Sequence, residues 1–271
     1  MQALPNAAET ALAEVIRRQG RPGFESALLA FLSRAVAPDN LIVLAYRDAA
    51  PPLVLFRQAG QARVFAALDA VYLAGAYVLD PYHDLHVRRV PQGLYRLADI
   101  APDAFQRSRY VIEYYQATGI IDELTYVAYP APGVTLNLCL GRDLGSGRVF
   151  SGRETEVAAR IAPVVVALAE THWAGLPASD AIPEAGPEAG PVARLVAALQ
   201  RARRIRLSPR QAEVALLILR GHSTPSIALV LGVSAQTVKV FRRQLHARCG
   251  VSSQAELFAL MLPLLGEGAR V

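Results

Sequence analysis

The stretch 207–262 constrains this chain more than any other. It sets helix-start signals at short intervals, each followed by an apolar run too short to be stable except against its neighbours. Ser208-Pro209 opens the first helix: the serine caps it, and the proline takes a first-turn position where no amide hydrogen bond is lost. Val214, Leu216, Leu217 and Leu219 supply an apolar face, and Gly221 ends the helix. Ser223 caps a second helix, with Ile227, Ala228 and Leu231 inward, and Gly232-Val233 makes a tight turn. Ser234 caps a third, whose Val238, Phe241 and Leu245 share one face at helical spacing. Ser253, with Glu256 three residues on, boxes a fourth helix carrying Leu257, Leu260 and Met261.

Charge points the same way. The net charge of +5 conceals an asymmetry: residues 1–191 sum to −4 and residues 192–271 to +9. Lys239, on the third helix, is the only lysine in 271 residues. A basic unit could be merely a solvated face, but this one contains a helix-turn-helix spacing, which makes double-stranded DNA the expected partner. A major groove admits one α-helix, read by residues near its N-terminus, and a capped N-terminus offers amides to a phosphate. The candidate DNA-binding residues are Ser223, Thr224, Ser234, Gln236, Thr237, Lys239, Val240, Arg242 and Arg243.

The segment 206–262 resembles the LuxR-type helix-turn-helix domain. The resemblance rests on Leu207-Ser208, Arg210, Glu213-Val214, Gly221, Ile227-Ala228, Leu231-Gly232-Val233-Ser234, Thr237-Val238-Lys239 and Gly250-Val251-Ser252. It implies that Lys239, Val240 and Arg243 reach bases and that Thr237 touches phosphate. It also implies a homodimer through the fourth helix, using Leu257, Leu260 and Met261, and RNA polymerase as a further partner open to such a regulator. Phe241 stands where the family usually has histidine, and Arg242 where it usually has a small apolar residue. Those departures unsettle the family's base preferences but not the fold.

Before this unit, residues 176–191 (LPASDAIPEAGPEAGP) hold four prolines and no apolar period, and read as a semi-rigid linker. The chain therefore divides into 1–175, a linker, and 192–271. In the first unit, helices are expected over 7–19, 23–36, 62–78 and 151–173, with short ones at 102–105 and 107–116. Strands are expected over 41–47, 53–57, 93–97, 124–129 and 134–141. Asp80-Pro81 should end the helix over 62–78. The fold class is α+β: an N-terminal antiparallel-sheet sensor, then an all-α four-helix domain. No apolar run reaches the roughly 20 residues of a membrane span. The start lacks the pattern of a signal peptide, so a cytoplasmic protein is expected. Cys139 and Cys249 sit in apolar patterns and read as buried thiols.

What the first unit senses is narrowed by what it lacks. A phosphoacceptor receiver resembles a doubly wound sheet with an essential lysine, and residues 1–238 contain none. An acyl-homoserine-lactone sensor, an α/β/α sandwich with a Trp/Tyr/Asp cluster, stands as the alternative, but the sole tryptophan, Trp173, lies at the end of the last helix. Short pieces around Asp80-Pro81, 97–105, Tyr114-Tyr115 and 119–123 resemble LuxR-type regulators with a GAF-like or PAS-like sensor, which implies a small-molecule effector and a dimer. Tyrosines usually pack a core with the hydroxyl at its surface, yet here they gather near carboxylates, which suits a cationic or hydroxylated ligand. The candidate ligand residues are Tyr72, Tyr77, Tyr82, Tyr95, Tyr114, Asp122 and Tyr126. His83 and His86 could pair on a metal but no further ligands align, so neither metal nor cofactor is expected. No nucleophile-elbow, zinc-protease, P-loop or dinucleotide motif appears, so the chain reads as a regulator. An enzyme-derived first domain with residual catalysis is the rival reading.

Overall fold

The computed structural model describes residues 6–47, 50–178 and 190–266. The N-terminal unit is built on one antiparallel sheet of β1 (Asn40–Arg47), β2 (Leu53–Ala59), β3 (Gly93–Arg96), β4 (Ile120–Ala128) and β5 (Val134–Asp143). The spatial order is β2-β1-β5-β4-β3. Helices α1 (Asn6–Arg17) and α2 (Phe24–Ala35) precede the sheet. Short helices α3 (Pro81–Arg88), α4 (Leu97–Ile100) and α5 (Gln116–Thr118) interrupt it, and the long α6 (Gly152–His172) follows.

Central β5 is buried along its whole length, because both faces of the sheet are covered. Strand alternation sorts its neighbours between two cores. Leu41, Val43, Ala45, Leu124, Tyr126 and Leu136 face the layer of α1, α2 and α6. Ile42, Leu44, Tyr46, Val127 and Cys139 face a second layer of short turns. That second face also carries the buried Glu123, Thr125, Thr135 and Asn137. A sheet face that should be apolar thus keeps a polar stripe. On the sheet rim, buried Arg142 donates to Asp39 at 3.1 Å and to Glu154 at 2.6 Å. Glu154 also closes the expected capping box with Ser151 at the start of α6.

The helix expected over 62–78 is instead three separate turns: a 3-10 turn at Ala62–Phe65, a π turn at Leu68–Tyr72 and a 3-10 turn at Ala76–Leu79. Val64, Leu68, Tyr72 and Ala76 are buried at a spacing of four, which imitates a helix. Each turn lays its own residue on the sheet, and Gly75, at φ +149°, breaks the path between them. Nor does Asp80-Pro81 merely end a segment. Asp80 caps α3, accepting from the Tyr82 amide at 2.8 Å, with Pro81 in the first turn. The short helix expected over 102–105 is a 3-10 turn at Phe105–Arg107, and the one expected over 107–116 is helical from 109 to 118, with a π turn at Val111–Tyr115 that runs into α5.

Among the described residues the C-terminal unit has five helices, not four: α7 (Pro191–Arg203), α8 (Pro209–Leu219), α9 (Thr224–Leu231), α10 (Ala235–Cys249) and α11 (Gln254–Leu265). The additional α7 packs on α8 and α11. It changes the reading of α11: Leu257 and Met261, expected at a dimer interface, are fully buried in their own chain, and Leu260 is half-buried. Most of the expected linker, 179–189, lies outside the described residues.

The two units are docked. One apolar cluster includes Tyr77, Val78 and Phe105 together with Leu199, Leu217 and Leu264. Arg220 donates to the Val78 carbonyl at 3.1 Å and pairs with Asp84 at 3.2 Å. The Ala104 amide donates to the Gly221 carbonyl at 3.0 Å. The approach needs glycine. A Cβ on Gly221, at φ +92°, would lie 2.7 Å from Phe105 Cα, and one on Gly266 would lie 1.5 Å from the Ala74 carbonyl oxygen.

Candidate functional site

The helix-turn-helix is set by its caps. Ser208 and Gln211 form a reciprocal capping box at α8. Ser223 accepts from the Ser226 amide at 3.3 Å, and Gly232 ends α9 in the left-handed region. Ser234 accepts from the Thr237 amide at 3.0 Å and starts α10, which lies at 106° to α9. Val238 and Leu245 bury one face of α10 and Phe241 is half-buried beside them. The opposite face leaves Ser234, Gln236, Lys239 and Arg243 exposed, with Thr237 and Val240 half-exposed. This is a convex, basic helix face with a free N-terminal turn, the shape a major groove accepts.

Besides the Ser234–Thr237 cap, three of the candidate DNA-binding residues, Ser223, Thr224 and Arg242, are partly engaged within the chain. The half-buried Arg242 turns back toward α9, its guanidinium 3.5 Å from the Thr224 hydroxyl. The Ser223 amide donates to Asp103 of the N-terminal unit at 2.9 Å. Hydrogen bonds from the Ser223 hydroxyl and amide hold the Asp103 carboxyl below its usual range. A carboxylate thus sits at the N-terminus of α9, where the helix dipole favours an anion.

In the N-terminal unit, a small cavity of about 50 Å³ lies between the polar-striped sheet face and the turns. Tyr72, Tyr82, Tyr110, Tyr114, Tyr115 and the carboxylates Asp80 and Glu123 line it, with apolar walls that include Ile42, Leu44 and Cys139. Asp80 accepts from the Tyr72 hydroxyl at 2.8 Å and from Tyr110 at 3.5 Å, and Tyr72 in turn meets the Tyr46 hydroxyl at 2.7 Å. Glu123 accepts from the Tyr115 hydroxyl at 2.6 Å. Burial pushes the Asp80 carboxyl up to about 6 against those donated hydrogen bonds. Burial, aided by the nearby Asp80 and Asp122, pushes Glu123 up to about 8.

Of the seven expected ligand residues, the structure brings Tyr72, Tyr82 and Tyr114 to this cavity. The other four lie elsewhere. Tyr77 is buried toward His83, and Tyr95 donates from β3 to the Pro91 carbonyl. Tyr126 faces the other core and donates to the Ala158 carbonyl at 3.1 Å. Asp122 is structural, accepting from the Phe150 and Glu123 amides. The error is one of parity: on β4, Asp122 and Tyr126 share the helix-covered face, while Glu123 is on the cavity side. Tyr110 gave no signal of its own. Trp173 packs on Phe24, in the core opposite the cavity. His83 is buried among Tyr46 and Tyr77, and His86 bonds the Thr135 hydroxyl. Cys139 and Cys249 are free thiols.

The family model of bacterial regulatory proteins of the luxR family matches residues 206–261. Beyond that segment, the chain is 31% identical over 187 residues to the HTH-type transcriptional regulator of the exeN 3' region of Aeromonas salmonicida, covering 68% of this chain and 93% of that protein. The chain belongs to the LuxR family of helix-turn-helix transcriptional regulators. Its sensor-side unit is similar to the crystal structure of the VqsR ligand-binding domain from Pseudomonas aeruginosa. That match has 25% identity and a TM-score of 0.52, and spans 62% of this chain and 97% of that domain. Escherichia coli SdiA aligns along 97% of this chain and 98% of its own, at 16% identity and a TM-score of 0.44. As a LuxR-family regulator the chain pairs a DNA-binding C-terminal domain with an N-terminal unit similar in fold to that VqsR domain. No single helix among its described residues is long and apolar enough to cross a membrane.

Proposed function

We propose that this LuxR-family protein is a cytoplasmic, non-enzymatic transcriptional regulator in which a small effector, bound in the N-terminal cavity, controls the docking of the DNA-binding domain. One observation carries the reading: the same segments form the cavity wall and the docking surface. Leu68 and Tyr72 line the cavity, while Ala74 and Gly75 meet Gly266. Asp80 and Tyr82 line it, while Val78 and Asp84 hold Arg220. Tyr110, Tyr114 and Tyr115 line it, while Asp103, Ala104 and Phe105 hold Ser223 and Gly221. An effector that shifts these turns changes the docking contacts directly, which gives it a different affinity for the docked and free states.

The docked arrangement is the low-affinity state in this reading, because Asp103 places a carboxylate at the α9 terminus that would otherwise face phosphate. The DNA-bound form is a homodimer on a two-fold-related site, with an interface other than the buried Leu257 and Met261. The direct test is operator affinity by gel shift. Lys239→Ala and Arg243→Ala should each weaken specific binding by about 1–3 kcal/mol if the residue reads a base. Unchanged affinity in both variants would refute the role given to the α10 face.

A further inference from the structure

We propose that the effector cavity is built for a compact cationic head group, a primary ammonium or one of similar size, held between Asp80 and Glu123 among the tyrosines. This rests on the effector reading above and gives it a ligand class.

Three observations converge. The charged groups lining the cavity are both carboxylates, and no arginine, lysine or histidine lines it. Neither Asp80 nor Glu123 makes an ion pair among the described residues. Each is answered only by neutral donors, the Tyr72 and Tyr110 hydroxyls and the Tyr82 amide for Asp80, and the Tyr115 hydroxyl for Glu123. Buried carboxylates ordinarily have a cation or several charged donors, so the missing positive charge is the feature that a ligand would supply.

Second, Tyr82 lines the same cavity and is 2% exposed, and its hydroxyl has only the Thr125 hydroxyl beside it. A tyrosine oxygen with one hydroxyl neighbour can still accept a further hydrogen bond, and an ammonium donates in three directions. Third, the tyrosine rings supply the π surface that attracts a cation once water is excluded. Tyr72 and Tyr114 stack with centroids 5.9 Å apart along one wall. An anionic ligand would meet the Asp80 carboxylate and no counter-charge, and a neutral one would leave Asp80 without a cation. The small volume restricts the cavity to a head group, with any tail leaving past Phe65 and Ile120, the half-buried apolar side chains of the lining.

Binding also has a proton signature. The titratable groups around Glu123 are Tyr46, Tyr82, Tyr110, Tyr114 and Tyr115 with Asp80, Asp122 and Cys139, none of them cationic. In the empty protein at neutral pH, Glu123 holds its proton, since burial has raised it to about 8. An arriving ammonium favours the carboxylate, so that proton leaves to solvent as the ligand binds.

The test uses the full chain and nine probes: methylamine, isobutylamine and phenethylamine, each with the alcohol and the carboxylate of matching size. The amines should bind at least tenfold more tightly than their alcohols, by melting temperature and calorimetry, and the carboxylates should not bind. Amine heats measured at neutral pH in two buffers of different ionisation enthalpy should report proton release, and affinity should rise from pH 6 to pH 8. Glu123→Gln should lose amine affinity at least tenfold and keep that for alcohols. The wild-type charge selectivity stands as a test even if the variant fails to fold. Alcohols or carboxylates binding as tightly as amines, or binding without proton release, would overturn the cationic class while leaving the effector reading intact. If no probe of any charge binds, and filling the cavity by Ile42→Phe leaves operator affinity unchanged, both the class and the effector reading fall.

Discussion

Two carboxylates separate the structural from the functional use of charge in this fold. Glu154 is answered by Arg142, Arg148 and the Ser151 cap, which hold it down to about 2. Glu123 is buried with one tyrosine hydroxyl and stands at about 8. Their pH contributions have opposite sign. Glu154, depressed, adds stability above its ordinary value near 4.5, and that stability is lost as pH falls toward 2. Glu123, raised, keeps its proton in the folded state after the unfolded chain has lost it, so its contribution is lost as pH rises from about 4.5 through about 8. Burial depresses His83, His172 and His222, which add stability as pH rises to about 6.5, so Glu123 is read above them: thermal unfolding between pH 7 and pH 8 should show stability falling with pH, and Glu123→Gln should flatten that fall. A wild-type profile that is already flat over this window would show that Glu123 ionises normally. Legibility at this scale depended on parity: Glu123 and Asp122 are adjacent, but only the pairing of β4 with β5 decides which of them faces the cavity.

At the scale of elements, the segments with local signals were readable and those made by tertiary packing were not. The caps at Ser151, Ser208, Ser223, Ser234 and Ser253 are all realised, because a serine hydroxyl answering an amide three residues on is a local interaction. Strands β1, β4 and β5 and the helices around them fall where their apolar patterns place them. The turns over 62–79 misled because their buried residues recur every four positions for reasons of docking, not of helix. Helix α7 was missed although Pro191 opens it, since its apolar Leu195, Ala198 and Leu199 follow a proline-rich stretch that masked the start. That omission left α11 looking like an unpartnered amphipathic helix. Because α7 and α8 cover it, Leu257→Asp should act as a core mutation. It should destabilise the C-terminal domain by about 3 kcal/mol or more, as an unpaired buried charge does, and chemical denaturation would measure it. A variant with wild-type stability but a broken dimer would restore α11 as an interface.

The whole molecule is arranged so that its sensor and its DNA reader share a surface. Docking takes Arg220, Gly221 and Ser223 from the start of the helix-turn-helix and binds them to turns that also wall the cavity. The α10 face stays exposed, so docking does not hide the reading residues. What it changes is the charge at the α9 terminus and the freedom of the two units to take up a DNA-bound arrangement. Nothing in the linear order of residues announces this, since Asp103 and Ser223 are 120 positions apart. The most direct test is the affinity of the full chain for its mapped operator, by fluorescence anisotropy, with docking weakened from both sides by Asp103→Ala and Arg220→Ala. Both substitutions should tighten binding by about five-fold to a hundred-fold, the usual size of a coupling of 1–3 kcal/mol between sites. Equal or weaker operator binding by two well-folded variants would contradict the claim that docking restrains this regulator.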